Sequence, residues 1–125
     1  MVFFTARASR SRDIPPDSEG VAYYDLKKLH TGFTADLNHQ QATFMAHSQK
    51  TIFASSFTTA VTNTEWHTKP TFGIVPTADK SINPVILSNM YKRSGTKIIE
   101  IKRASHAVFI SHPKEVADVI IAASK

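Results

Sequence analysis

The chain has 125 residues, of which 42% are hydrophobic, and it carries a formal net charge of +5 with no cysteine. This length fits one small domain or part of a larger one, and the hydrophobic fraction favours a folded core over disorder. The lack of cysteine excludes disulfides, thiolate metal sites and a cysteine nucleophile. No apolar run reaches the roughly 18–20 residues that a membrane span requires, so we expect a soluble, cytoplasmic protein without a membrane partner.

The positive charge is concentrated near the start of the chain. Arg7, Arg10 and Arg12 are three of the 15 Lys and Arg residues, which leaves 12 against 10 Asp and Glu in the rest of the chain. A nucleic-acid-binding surface requires basic residues clustered with aromatic residues on one face. The charge pattern therefore does not favour a nucleic-acid partner, and residues 1–20 are expected to form a basic, polar and disordered tail.

Residues 21–66 are expected to form short helices joined by loops. The pattern predicts a helix over 24–32 and a second one that begins after the N-cap Asn38 and ends near Ser48, with Gln41 completing a capping box. A third short helix is predicted over 51–57. The apolar side chains of this segment are interpreted first as core residues and alternatively as the lining of an acyl or aryl pocket: Phe33, Phe44, Met45, Phe53, Phe57 and Trp66.

Residues 67–125 show a more regular pattern, in which strands and helices alternate. A short strand is predicted over 71–75, a helix begins at Asn83-Pro84 and stops at Gly95, and a second strand covers 97–101. A last helix runs from Pro113 to about Ser124. The order strand, helix, strand, helix predicts an α/β structure with a right-handed parallel crossover.

A parallel sheet of two strands is expected to be incomplete. Both of its edges lack a neighbour, and one of its faces is expected to be largely uncovered. We therefore expect that further strands lie on another chain or on a segment that has been lost. Self-association through the open strand edges is a second expectation.

Two residues that could act together in catalysis follow the two predicted strands. Asp79 comes after the first strand, and His106 comes after the second. Because parallel strands have their carboxyl ends at the same edge of the sheet, both side chains are expected there. A carboxylate at this position can accept a hydrogen bond from imidazole Nδ1 and leave Nε2 as a base. The alternative is that Asp79 only caps a turn and His106 only lies in a loop.

The last 60 residues resemble the C-terminal segment of serine-type α/β-hydrolases, in the esterase branch that includes plant methyl esterases and hydroxynitrile lyases. Residues 33–49 are similar to the helical cap of that branch. The resemblance is carried by residues 66–71 (WHTKPT), 77–84 (TADKSINP) and 104–116 (ASHAVFISHPKEV). It implies that the chain forms the C-terminal β-α-β-α part of a hydrolase sheet and that Asp79 and His106 are the last two members of the triad, in the order that this fold has along the chain. It also implies a small ester substrate and no cofactor.

The nucleophile of this family has no counterpart in the chain. The four glycines are Gly20, Gly32, Gly73 and Gly95, and no two have the spacing that the G-x-S-x-G elbow requires. Because Ser105 is adjacent to His106, their side chains are expected to diverge. Ser81 and Ser111 lack the strained turn that exposes a nucleophile. The chain is therefore expected to be inactive alone, and the alternative is a non-catalytic relic or an interaction module.

The remaining histidines do not show the spacing of a metal site. None of them forms the i, i+4 pair of a zinc-binding helix, and no cysteine is available to assist. We expect no metal, and we expect His112, which precedes Pro113, to help begin the last helix. The five histidines in question are His30, His39, His47, His67 and His112.

Overall fold

The structure is a computed structural model that describes residues 16–62 and 64–125. Most of the basic tail predicted from the sequence, residues 1–15, lies outside the described residues. The described chain begins with a turn in which the Asp17 side chain accepts hydrogen bonds from the backbone N–H groups of Glu19 and Val21, both at 2.9 Å. In the described ranges, no helix is long and apolar enough to cross a membrane.

The first part of the fold, called here the helical segment (residues 21–67), contains two α-helices between two very short strands. Its elements are β1 (Val21–Ala22), α1 (Leu26–Gly32), α2 (His39–Ser48) and β2 (Ile52–Phe53), followed by 3-10 helices at Ala54–Phe57 and Glu65–His67. The predicted capping box of α2 is confirmed, because Asn38 Oδ1 accepts from the Gln41 N–H at 2.9 Å and the Gln41 side chain accepts from the Asn38 N–H.

The short helix predicted over residues 51–57 is confirmed only in its second half, as the 3-10 helix Ala54–Phe57, because Ile52–Phe53 forms β2. β2 pairs antiparallel with β1, and Val21 lies opposite Phe53. The Gln49 side chain supports this pairing, since its amide oxygen and nitrogen both bond to the backbone of Tyr24 at 2.9 Å. These contacts connect residues about 25 positions apart, so tertiary pairing overrides the local helical pattern.

The second part, called here the α/β unit (residues 72–123), contains the predicted parallel strand pair. Its elements are β3 (Phe72–Pro76), α3 (Pro84–Arg93), β4 (Lys97–Ile101), α4 (Val108–Ser111) and α5 (Pro113–Ala123). β3 and β4 pair in parallel from Phe72 opposite Lys97 to Pro76 opposite Ile101. The predicted caps of α3 are present: Asn83 Oδ1 accepts from the Val85 N–H at 2.9 Å, and Gly95 has a left-handed φ of 70°. The four-residue α4 was not predicted.

Helices pack on both faces of the parallel pair. On one face Tyr91 of α3 lies so close to Gly73 that a Cβ added there would be 2.6 Å from the Tyr91 ring. On the other face Ile74 and Val116 pack against the buried cluster of Ile101, Ala104 and Val108. The expectation of a largely uncovered face is therefore corrected, because α3 and α5 lie on opposite sides of the sheet. Among the described elements, β3 and β4 pair only with each other.

Candidate acid–histidine site

The structure brings the two predicted site residues into direct contact at the carboxyl ends of β3 and β4. Asp79 Oδ2 lies 2.7 Å from His106 Nδ1, and the Asp79 side chain is fully buried whereas that of His106 is 28% exposed. Because a carboxylate can only accept, the hydrogen of this bond is on Nδ1. In the neutral imidazole, the other ring nitrogen, Nε2, is then left with a lone pair.

The second oxygen of Asp79 holds the carboxylate in place. Asp79 Oδ1 accepts hydrogen bonds from the backbone N–H groups of Ser81 at 2.7 Å and Ile82 at 3.0 Å. Asp79 therefore does cap the turn, as the alternative interpretation of the sequence held, and it also contacts His106. The two roles use different oxygens, so the capping bonds orient the carboxylate toward the imidazole.

Backbone hydrogen bonds join the two loops that carry the pair. The Thr77 N–H donates to Ile101 O and the Ala78 N–H donates to Ala104 O, both at 3.0 Å. Arg103 has a φ of 62°, which is unusual for a residue other than glycine and carries a cost of roughly 1 kcal/mol. Its N–H donates to Thr77 Oγ1 at 2.8 Å, which ties this strained position to the opposite loop.

The interhelical loop (residues 33–38), which connects α1 to α2, lies against the histidine. The Phe33 ring centroid is 4.5 Å from that of His106. Phe33 O accepts from the Ala107 N–H at 3.1 Å, and Gly32 O, at the end of α1, accepts from Ser81 Oγ at 3.0 Å. The helical segment therefore contacts both the acid-bearing loop and the histidine-bearing loop.

Asp36 of the interhelical loop is a polar contact of the site that the sequence did not reveal. Its carboxylate accepts from both the N–H of Ser105, at 2.9 Å, and the Ser105 hydroxyl. Burial raises the pKa of Asp36, but the hydrogen bonds from Ser105 and Ser111 outweigh that effect and hold the pKa below its usual value. Because Ser105 precedes His106, Asp36 anchors the backbone that carries the imidazole.

The only sequence signal for Asp36 was its place in the cap-like stretch, since its partner lies 69 residues away. No local spacing marks such a contact. The Phe33–His106 contact was missed for the same reason: Phe33 was assigned to a core or a pocket lining, and its position on the imidazole depends on how the two parts of the fold pack.

The serines considered as alternative nucleophiles are engaged elsewhere. Ser105 Oγ bonds to Asp36 and to Phe33 O, and Ser81 Oγ donates to Gly32 O. Ser111 Oγ lies 2.9 Å from His112 Nδ1. Within residues 16–62 and 64–125, no serine hydroxyl makes a hydrogen bond to His106 Nε2.

His112 begins the last helix, as expected from its place before Pro113, and its carbonyl oxygen accepts from the Val116 N–H at 3.1 Å. His112 is the N-cap residue of α5, but its side chain makes no capping hydrogen bond. The ring instead faces Ser111 Oγ and lies 3.8 Å from Asp36 Oδ2. As for metals, the described residues contain no group of three or more histidine or acidic residues that could hold an ion.

No protein-family model matches this chain, and no curated protein matches it. Its function is therefore inferred from the residues and the geometry of the site.

Proposed function

We propose that this chain carries the acid and the base of a serine-type α/β-hydrolase of the esterase branch, which acts on small esters. The observation that supports the proposal most directly is the 2.7 Å contact between buried Asp79 and His106 at the carboxyl ends of adjacent parallel strands. The order of the acid and the histidine along the chain agrees with that of the fold family.

In this reaction His106 moves a proton and Asp79 keeps the ring in place. Nε2 accepts the proton of an attacking serine hydroxyl as the serine oxygen bonds to the ester carbonyl carbon, and Asp79 stabilises the imidazolium that forms. The proton then passes to the leaving alcohol oxygen as the carbon–oxygen bond breaks. A water molecule repeats the sequence to release the acid.

The serine and the oxyanion donors are proposed to come from sequence outside these 125 residues. The chain contains no G-x-S-x-G stretch, and the serines nearest the pair are bonded to other groups. Loss of a triad nucleophile lowers the rate by several orders of magnitude, so the isolated chain is expected to be inactive.

Fluorophosphonate labelling tests the first part of the proposal. The purified chain should not be labelled, because it lacks an activated serine. Stoichiometric covalent labelling of the isolated chain would contradict this expectation and would show that one of its own serines is the nucleophile.

The coding DNA upstream of Met1 tests the second part. If an in-frame segment with a G-x-S-x-G stretch lies there, co-expression should give hydrolysis of 4-nitrophenyl acetate. Asp79→Asn and His106→Ala should each reduce this activity by orders of magnitude. Activity that survives His106→Ala would refute the assignment of the base.

A second candidate function, a non-catalytic module that pairs a strand edge with a partner, is favoured by one observation. β3 has no charged residue, whereas β4 carries the exposed Lys97 and Glu100. Charges on a strand protect its edge from pairing, so the edge of β3 is the one suited to a further strand.

Light scattering coupled to size-exclusion chromatography distinguishes this module from a self-contained domain. The module should self-associate, and Phe72→Glu, which places a charge at the β3 edge opposite Lys97, should shift it toward the monomer. A compact, cooperatively melting monomer for the unmodified chain would argue against this second function.

A further inference from the structure

Phe33 contacts the histidine-bearing loop through both its backbone and its ring. Its carbonyl oxygen accepts hydrogen bonds from the Ala107 N–H at 3.1 Å and from the Ser105 hydroxyl at 3.2 Å. These two donors flank His106 in sequence, and the Phe33 ring centroid lies 4.5 Å from that of His106. One residue of the interhelical loop therefore holds the backbone on both sides of His106 and also contacts the imidazole.

The hydrogen bond to Asp79 alone leaves the tilt of the imidazole weakly restrained. It places Nδ1 2.7 Å from Oδ2, but the torsion that turns a histidine ring about its Cβ–Cγ bond has broad minima. The direction in which Nε2 points therefore depends on a second contact with the ring. Aromatic rings pack against each other at centroid distances of roughly 4.5–7 Å, and the Phe33 ring meets the imidazole at such a distance with an interplanar angle of 53°.

A partner at Nε2 does not supply that second contact. Nε2 makes no hydrogen bond within residues 16–62 and 64–125. It is not fully buried either, since Tyr24 Oη is the one buried side-chain polar atom without a partner in those ranges. The contacts that orient the imidazole therefore lie at Nδ1 and along the ring, where Phe33 packs, and Nε2 stays accessible.

The Phe33 ring is itself held in place. The Tyr24 ring packs edge-to-face against it, with centroids 6.0 Å apart. Gln49 fixes the Tyr24 backbone through two hydrogen bonds of 2.9 Å, and the Phe33 N–H donates to Leu29 O of α1 at 2.8 Å. A site residue keeps its geometry when the side chain that supports it is itself locked by packing and hydrogen bonds. Phe33 meets this condition.

We infer that Phe33 is a positioning residue, whose ring holds the plane of the His106 imidazole so that Nε2 keeps one direction. The catalytic consequence rests on the function proposed above. A general base has to lie within about 2.6–3.2 Å of the oxygen whose proton it takes, and a misplacement of about 1 Å can cost roughly 100-fold in rate. The order of the imidazole itself requires neither a serine nor turnover.

Phe33→Leu in the full 125-residue chain isolates the ring contact. The substitution keeps an apolar side chain and the carbonyl oxygen that binds Ala107 and Ser105, and it removes the aromatic ring. Carbon-13 relaxation of the His106 Cε1–Hε1 bond measures the order of the imidazole. Its order parameter should fall from about 0.85 in the natural chain to below about 0.6 in the variant. The hydrogen on Nδ1 should remain, because Asp79 is unchanged.

Two further variants are the controls. Phe33→Tyr keeps the aromatic ring and should retain the order of the natural chain. Phe44→Leu makes the same change at a phenylalanine of α2 that is 73% exposed, and it should leave the imidazole as ordered as before. Thermal melting followed by circular dichroism shows that each variant is folded, so a loss of order can be assigned to the missing ring.

Two results would overturn the inference: an imidazole that stays fully ordered in Phe33→Leu, or one that loses its order equally in Phe44→Leu. Neither result depends on the serine, so this failure is distinct from failure of the proposed function, which would appear as a completed enzyme that is indifferent to His106→Ala. In a completed enzyme that does require His106, Phe33→Leu should lower kcat about ten- to hundredfold and leave KM within about twofold. A change in KM alone would contradict the positioning role.

Discussion

The α/β unit has two five-residue strands and three α-helices, of ten, four and eleven residues. The helical segment has α-helices of seven and ten residues and strands of only two residues. The two regions are alike in what they bury. Val75 of the α/β unit is 1% exposed and Ala42 of the helical segment is 2% exposed, and both regions also expose large apolar side chains, such as Ile120 and Phe44. The longer strands, however, are in the region that supplies Asp79 and His106.

The two site residues and the side chains that support them come from different regions of the fold. Asp79 and His106 both belong to the α/β unit, and parallel pairing of β3 with β4 brings them together. The helical segment supports the histidine through Phe33, which packs against the imidazole, and through Asp36, which binds the backbone N–H of the preceding Ser105. This difference predicts that substitutions in the two regions have distinct effects.

The largest effect is expected from Gly73→Val in the α/β unit. A side chain at this position would meet the Tyr91 ring, since even Cβ would lie 2.6 Å from it. Overpacking of this kind costs roughly 1–3 kcal/mol of unfolding free energy, and the close approach favours the upper end of that range. Urea unfolding followed by circular dichroism measures the loss.

Tyr91→Ala in the Gly73→Val background serves as the control. If the clash is the cause, removal of the ring should make the two substitutions strongly non-additive. Simple addition of the two losses would show that Gly73 matters for another reason, and it would weaken the account of the α/β unit as a tightly packed layer.

A smaller effect is expected from Asp36→Asn, which tests the link between the two regions. The substitution weakens the bonds to Ser105, so the free energy of unfolding should fall by about 1–3 kcal/mol, toward the middle of that range. Ser105→Ala is the matched partner, and a double-mutant cycle should give a coupling of roughly 0.5–3 kcal/mol. Additive losses would contradict a direct link.

The Asp36 link should also depend on pH. Because the folded-state pKa of Asp36 is lowered, its contribution to the free energy of unfolding is present above its unfolded pKa, near 3.9. This contribution is lost as the pH falls through the folded-state pKa. The stabilities of the natural chain and Asp36→Asn should therefore converge in acid, below about pH 4. A constant difference through this range would contradict the assignment.

The smallest effect is expected from Asn38→Ala, which acts only on the helical segment. Loss of the capping box should lower the free energy of unfolding by about 1 kcal/mol. The contact between Asp79 and His106 should remain, so the NMR signals of His106 should change little. Large changes in the His106 signals would show that α2 and the Asp79–His106 pair are more tightly coupled than expected for a cap that acts only on the helical segment.

Local signals in the sequence were sufficient for much of the α/β unit. Asn83, Pro84 and Gly95 define the ends of α3 through their own conformational preferences. The strand order then predicted that Asp79 and His106 lie at one edge of the sheet. These features depend on neighbours in sequence or on a general rule of parallel sheets, so they can be read from the chain.

The supporting contacts could not be predicted because they join distant residues. The pairing of Val21 with Phe53 and the bonds between Asp36 and Ser105 depend on how separate elements pack. Polar side chains such as Asp36 are common in loops, so nothing local distinguishes one that binds a distant backbone group. The same limit applies to Tyr24, whose unsatisfied hydroxyl is visible only in the folded chain.

Nitrogen-15 NMR of the His106 imidazole tests the central claim most directly. In the neutral imidazole, we predict hydrogen on Nδ1 and a free lone pair on Nε2. Asp79→Asn should disturb this tautomer, because the side-chain amide can donate as well as accept. Hydrogen on Nε2 in the unmodified chain, or an unchanged tautomer in Asp79→Asn, would contradict the account.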